Sequence, residues 1–256
     1  MNIGSRWMLG VVALVAGVLV SGCATHRHPA HWSYEGETGP EQWGSLDPAY
    51  HLCATGTRQS PINLDPSVTT NLPDIVFAYA PSAWVLTNNG HTVQATPAPG
   101  SSILLNGERF DLVQFHLHAP SEHTVSGLPA AAEMHFVHQS TDGHLAVLGV
   151  LLVATETPHP DYDDYFANLP AKAGGSSTLA TPVNPDNLLP SDRRTLRYDG
   201  SLTTPPGTEG VRWNVFPTRV AISADQLAAF TAIFPPNNRP IQPLNDREIL
   251  LDSATD

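Results

Sequence analysis

Twenty-four prolines are spread through this chain of 256 residues, and they leave little room for long helices. Between them lie short runs, alternating or wholly apolar, bounded by Pro, Gly and Asn: Ile75–Tyr79, Trp84–Leu86, Ile103–Leu105, Phe110–His118, Glu133–Gln139 and Leu145–Ala154. Such runs read as strands, so the chain is expected to be mostly β, with many loops. Leu145–Ala154 is nearly all apolar, as a strand covered on both faces requires. Helices are expected only over Asp163–Ala173 and over Ala224–Phe234, the second capped by Ser223 and stopped by Pro235 and Pro236. Gly174–Ser177 and the Pro-rich Thr181–Pro190 read as surface loops, and no internal repeat is present.

Two of the strand candidates carry chemistry. In Gln114-Phe115-His116-Leu117-His118 the period of two turns Gln114, His116 and His118 to one face. In Glu133-Met134-His135-Phe136-Val137 it does the same for Glu133, His135 and Val137. Three neutral imidazoles from neighbouring strands leave a tetrahedral divalent cation one open position, which is how a catalytic zinc is held. Gln114 and Glu133, each two residues before a histidine, are placed to accept a ring N–H and orient the ligand.

With these motifs the sequence resembles the α-class carbonic anhydrases, from about His31 to near Leu251. The matching blocks begin with His31-Trp32-Ser33-Tyr34, Gly39-Pro40-Glu41-Gln42-Trp43 and Arg58-Gln59-Ser60-Pro61-Ile62-Asn63. They continue through Asn89-Gly90-His91, the two histidine motifs, Ser121-Glu122-His123-Thr124 and Leu145 to Gly149. The last are Gly200-Ser201-Leu202-Thr203-Thr204-Pro205-Pro206 with Trp213, and Asn238-Arg239-Pro240 through Leu244. The resemblance implies one domain over 31–256, built on a large, mainly antiparallel twisted sheet flanked by short helices. It also implies zinc as cofactor and reversible hydration of CO2 to bicarbonate and a proton by zinc-bound hydroxide.

Roles follow by resemblance, residue by residue. His116, His118 and His135 are the zinc ligands. Thr203 accepts the nucleophile's proton and passes its own to Glu122. Val137, Val147, Leu202, Val211 and Trp213 form the apolar wall of the CO2 pocket, with Thr204 on its polar side. His91 stands at the proton-shuttle position, and Tyr34, Asn89 and Gln94 order the water between it and the metal. His123 and His138 are expected to be structural hydrogen-bonding groups.

The ends and the charge set the context. Met8 to Val20 is an apolar run after Arg6 and before Ser21-Gly22-Cys23, the layout of a secretory signal ending at a lipoprotein-type cysteine. Residues 1–23 are therefore expected to be a signal, 24–30 a tether, and Cys23 the site of lipidation in the cell envelope. Ala24 favours the outer membrane if the source is Gram-negative. The net charge of −12, with Lys172 the only lysine, argues against nucleic acid as a partner. The expected partners are CO2 and bicarbonate, with contact to a membrane only through the lipid, in a monomer or homodimer. Secreted bacterial relatives often join a Cys before Arg-Gln-Ser-Pro to one after Thr-Thr-Pro-Pro. Here Cys53 lies near the first position and Gly207 occupies the second, so that disulfide is absent. Two other readings are a cupin-type metal oxygenase, with Glu122 as a fourth ligand, and a carbonic-anhydrase-like binding module without activity.

Overall fold

The computed structural model describes residues 30–253, so the expected signal, Cys23 and all of the tether but Ala30 lie outside the described residues. A twelve-stranded sheet forms the body. Its main path runs Val68–Thr70, Leu250–Asp252, Leu196–Ser201, Glu209–Ser223, Leu145–Thr155, Ala132–Gln139, Glu108–His118, Val93–Pro97, Trp84–Asn88 and Ser176–Thr178. Two of these pairings are parallel, Val68–Thr70 with Leu250–Asp252 and Leu145–Thr155 with Glu209–Ser223; the other pairings are antiparallel.

Strand alternation sorts side chains into two layers. Phe115, Leu117, Met134, Phe136, Leu148 and Val150 join the main core on one face, against Tyr162, Tyr165 and Phe230 of the two longer helices. The intervening residues point to the other face, where Val147, Val211, Trp213 and Val215 form a second apolar cluster. Leu145–Thr155 contributes to both, which accounts for its unbroken apolar run. A third cluster of Trp43, Tyr50 and Cys53, with Trp32 and Tyr34 packed on it, belongs to the N-terminal segment.

Four local expectations need correction. The first helix spans Pro160–Ala167, not Asp163–Ala173. Pro160 pre-sets the first helical turn, and Leu169, standing before Pro170, is disfavoured in helical backbone. The second, Ala224–Thr231, starts at Ser223 with a full capping box to Gln226 but ends before Phe234. Ser176–Thr178 is an edge strand beside Trp84–Asn88 rather than loop. Within Thr181–Pro190, Leu188 is fully buried and its carbonyl accepts from Tyr162 Oη at 2.8 Å, so that stretch is anchored in the core. The strand Glu209–Ser223 is legible in the sequence only around Val211 and Trp213, which share a face by the period of two, because Pro217 interrupts it. The ladder shifts register there, between Val150 and Leu152 on the partner strand, so Pro217 sits where the pairing is already broken.

Candidate metal centre

His116 and His135 face each other directly across neighbouring strands, and His118 lies opposite Glu133 one step along. The three imidazoles converge, each offering one ring nitrogen within 4.8 Å of the others. Each ring's remaining nitrogen is oriented by the protein. His116 Nδ1 lies 2.9 Å from Gln114 Oε1, and His118 Nδ1 donates to the Asn237 carbonyl at 2.6 Å. His135 Nε2 lies 3.0 Å from Glu133 Oε1. This leaves Nε2 of His116 and His118 and Nδ1 of His135 for the shared space.

Burial drives all three histidines toward the neutral form, with His118 lowered to about 4 and His116 held well below the imidazole range. Neutral imidazoles keep their lone pairs free, and His118 Nε2 is buried with no hydrogen-bond partner. An orphaned buried nitrogen beside two others of the same kind fits a divalent cation.

Glu133 shows how the surroundings hold the ligand set. Burial alone would raise its carboxyl, but His123 and His135 outweigh it and hold the group well below the usual carboxylate range. Its Oε1 also accepts from His123 Nδ1 at 2.7 Å, and His123 Nε2 accepts from Tyr198 Oη at 2.6 Å. Its Oε2 accepts the backbone N–H groups of Glu122 and His123. Gly149 makes room for this carboxylate, since a Cβ there would stand 2.9 Å from Glu133 Oε1.

Glu122 is fully buried and its carboxyl is pushed up to about 7, chiefly by desolvation; His135, the Arg239 N–H and the Thr203 hydroxyl pull it back toward the ionised form. Its Oε1 accepts from the Arg239 backbone at 2.8 Å. Its Oε2 is 3.5 Å from His118 Nε2 and 3.9 Å from His135 Nδ1, with no hydrogen-bond partner of its own. Thr203 is buried just past the strand Leu196–Ser201, and Thr204 follows with its carbonyl accepting from Gly207 N.

Val137, Val147 and Trp213 form one row across three strands in register, and Leu202 and Val211 belong to the same cluster. The Trp213 ring packs edge-on to His135 at 4.8 Å. The apolar wall named from the sequence therefore stands beside the histidines. Gln94 pairs with His116 across the sheet, its side chain reaching Thr96 Oγ1 at 3.3 Å. His91 stacks flat on Trp32, ring centroids 3.7 Å apart, and burial together with the nearby His31 lowers its pKa. Tyr34 lies edge-on to His91 at 6.5 Å. Asn89 Oδ1 is engaged in holding the turn, accepting from His91 N and Thr92 N. His138 is buried between Tyr79 Oη at 2.7 Å and the Phe136 carbonyl at 2.9 Å, a packing role.

Two residues with work at this site were not singled out as site residues from the sequence. Asn237 accepts from His118 through its backbone carbonyl, its side-chain Nδ2 donates to Leu117 O and His91 O, and its Oδ1 accepts from Ala119 N. Arg239 gives its N–H to Glu122, while its fully buried guanidinium binds Gln59, the Ser60 carbonyl and the Cys53 carbonyl. Arg239 lay within the Asn238-Arg239-Pro240 block, whereas Asn237, just before it, carried no sequence signal.

A mixed twisted sheet that holds three histidines on one face beside an apolar wall defines the α-carbonic anhydrase class. Residues 38–253 match the family described as eukaryotic-type carbonic anhydrase. A carbonic anhydrase of Pectobacterium carotovorum is 40% identical over 240 residues, covering 93% of this chain and 97% of that protein. One from Neisseria gonorrhoeae is 40% identical over 244 residues, 94% of this chain and 96% of its own. The solved α-carbonic anhydrase of Thermovibrio ammonificans, in complex with the inhibitor sulfanilamide, superposes with a TM-score of 0.83 at 42% identity, over 86% of this chain and 99% of that one. The chain belongs to the eukaryotic-type carbonic anhydrase family and is an enzyme of that class. Neither the cupin reading nor the inactive module is supported. Glu122 does not join the convergent donor set, and all three histidines are in place.

Proposed function

We propose that this enzyme uses zinc at His116, His118 and His135 to hydrate CO2 reversibly to bicarbonate and a proton. Zinc bound by three neutral histidines acidifies a water molecule so that a nucleophile is available near neutral pH, an effect for which carbonic anhydrase is itself the reference case. Thr203 donates its hydroxyl proton to Glu122, and its oxygen then accepts only from the nucleophile. That arrangement selects the deprotonated nucleophile and fixes its direction of attack. Val137, Val147, Leu202, Val211 and Trp213 receive the uncharged substrate on an apolar surface, and Thr204 lines the polar side. His91 takes the released proton toward solvent, through water ordered by Tyr34, Asn89 and Gln94.

The observation that carries this reading is the convergence of three imidazole nitrogens, with His118 and His135 buried, beside the unpartnered Glu122 Oε2. Zinc content measured with stopped-flow CO2 hydration tests it. His116→Ala, His118→Ala and His135→Ala should each lose most bound zinc and nearly all turnover, and full activity in any of them would overturn the assignment. We also propose that Cys23 is acylated in the envelope, so that Cys23→Ala should move the protein from the membrane to the soluble fraction; an unacylated native N-terminus contradicts this.

A further inference from the structure

A cavity away from the metal centre has a volume of about 620 Å3, within the range of roughly 300–1,000 Å3 that accommodates a small organic ligand. Its wall is built on the strands Leu196–Ser201 and Glu209–Ser223. Arg197 pairs with Asn214 and Asp199 with Arg212 in register, while the alternate residues Tyr198 and Trp213 belong to the apolar cluster beside the metal site. The cavity therefore backs onto the strand pair that carries part of the catalytic wall.

Arginine is concentrated in its lining. Four guanidiniums line it, those of Arg58, Arg197, Arg212 and Arg247, facing Asp199, Asp246 and Glu248, in a protein of net charge −12 with only 12 basic residues. Two of the arginines are fixed walls. Arg197 is held by the Pro73 carbonyl at 2.8 Å, Thr195 Oγ1 at 2.8 Å and Asp252 at 3.4 Å. Arg247 is held by the carbonyls of Pro243, Leu244 and Asp199 at 2.7, 2.9 and 3.2 Å.

The other two keep donors to spare. Arg58 reaches Asp199 only at 3.5 Å, with both side chains largely exposed. Arg212 stands directly across the ladder from Asp199, yet its ion pair is with Glu108 at 2.8 Å. Guanidinium forks with free N–H groups are matched to oxyanions, which they bind two bonds at a time. Several of them around one recess favour a ligand with more than one such group.

We infer that this cavity binds a small organic polyanion carrying at least two oxyanion groups, gripped by Arg58 and Arg212 against the fixed arginines. The occupant is a freely diffusing molecule rather than a lipid surface, because Arg197 and Tyr198, at 9% and 5% exposure, lie too deep for a headgroup layer.

Fructose 1,6-bisphosphate, titrated calorimetrically into the zinc-loaded full chain, is a suitable probe. Saturable binding is expected, and Arg58→Gln or Arg212→Gln should weaken it by about tenfold or more, the loss of one charge-assisted contact. Both positions are partly exposed, so unfolding curves and CO2 hydration should match the native protein. Arg219→Gln, which removes the same charge elsewhere, should leave the affinity unchanged. No saturable binding to the native protein, or an equal loss in the Arg219 variant, would overturn the site. Displacement of the bisphosphate by anionic-lipid vesicles would overturn its assignment to a small molecule.

Discussion

Glu122 Oε1 accepts the backbone N–H of Arg239 at 2.8 Å, and this bond fixes which carboxylate oxygen faces the histidines. An acceptor held this way has one purpose in the proposed chemistry, to take the hydroxyl proton of Thr203. Glu122→Gln replaces part of that acceptor with a donor, and Thr203→Ala removes the intermediary. Each should retain zinc and the fold while slowing CO2 hydration by about 10²-fold, comparable with losing one preorganised group. Metal analysis beside stopped-flow rates checks this. A rate within error of the native one in both variants would remove Glu122 and Thr203 from the mechanism.

How far the site was legible depends on which atoms do the work. His116, His118 and His135 were readable because side chains of a strand alternate, and the strands that carry them are strongly patterned. Gln114 and Glu133 followed from the same period of two. Asn237 and Arg239 were not readable in this way. Asn237 serves His118 through its carbonyl and Arg239 serves Glu122 through its N–H, groups that every non-proline residue possesses. Both contacts also span more than a hundred residues of chain, beyond any local pattern. The same limit explains the fold. Leu145–Ala154 announced itself as an apolar run, whereas the full length of its parallel partner Glu209–Ser223, beyond Val211 and Trp213, was hidden by a proline whose position makes sense only beside the register shift.

His138 makes acid stability testable away from the metal. Burial lowers its pKa from the reference 6.5 to about 4, partly offset by hydrogen bonds to the Phe136 and Ala146 backbone. The unfolded chain therefore binds an extra proton between those values. The associated stability is fully present above about pH 6.5 and is lost as pH falls toward 4, about 3 kcal/mol over the whole window. Urea unfolding at pH 7 and pH 4.5 should show this loss in the native protein. His138→Leu should be less stable at pH 7, since Tyr79 loses its acceptor, but should fall less on acidification. Identical pH-induced losses in the two proteins would show that His138 is not responsible.

The vacant partner of Cys53 can be supplied. A Cβ built at Gly207 stands 2.7 Å from Cys53 Sγ, so the thiol and the glycine are already neighbours. Gly207 has φ of +69°, which costs a side chain about 1–2 kcal/mol. Reduced Gly207→Cys should therefore melt below the native protein. Oxidation should restore more than was lost, because cross-linking so long a loop contributes roughly 2–4 kcal/mol. Melting curves with and without reductant decide it, and failure to cross-link would show that the turn after Pro206 departs from this arrangement.

In the proposed chemistry His91 decides whether the enzyme can run fast. The released proton must leave before the next cycle, and direct transfer to water from a donor of near-neutral pKa is slow. An imidazole between the metal and solvent brings the transfer close to thermoneutral. The ring lies flat against Trp32 at 3.7 Å, and burial there, with His31 nearby, lowers its pKa below 6.5. His91→Ala should therefore lower kcat while leaving kcat/KM for CO2 nearly unchanged, because the latter reports steps before proton release. Imidazole buffer at high concentration should restore much of the lost turnover as a diffusible carrier. Trp32→Ala removes the stacking partner and part of the desolvation, so the acid limb of the kcat profile should move to higher pH without change in kcat/KM. A native kcat in His91→Ala at low buffer concentration would mean that protons leave by another route.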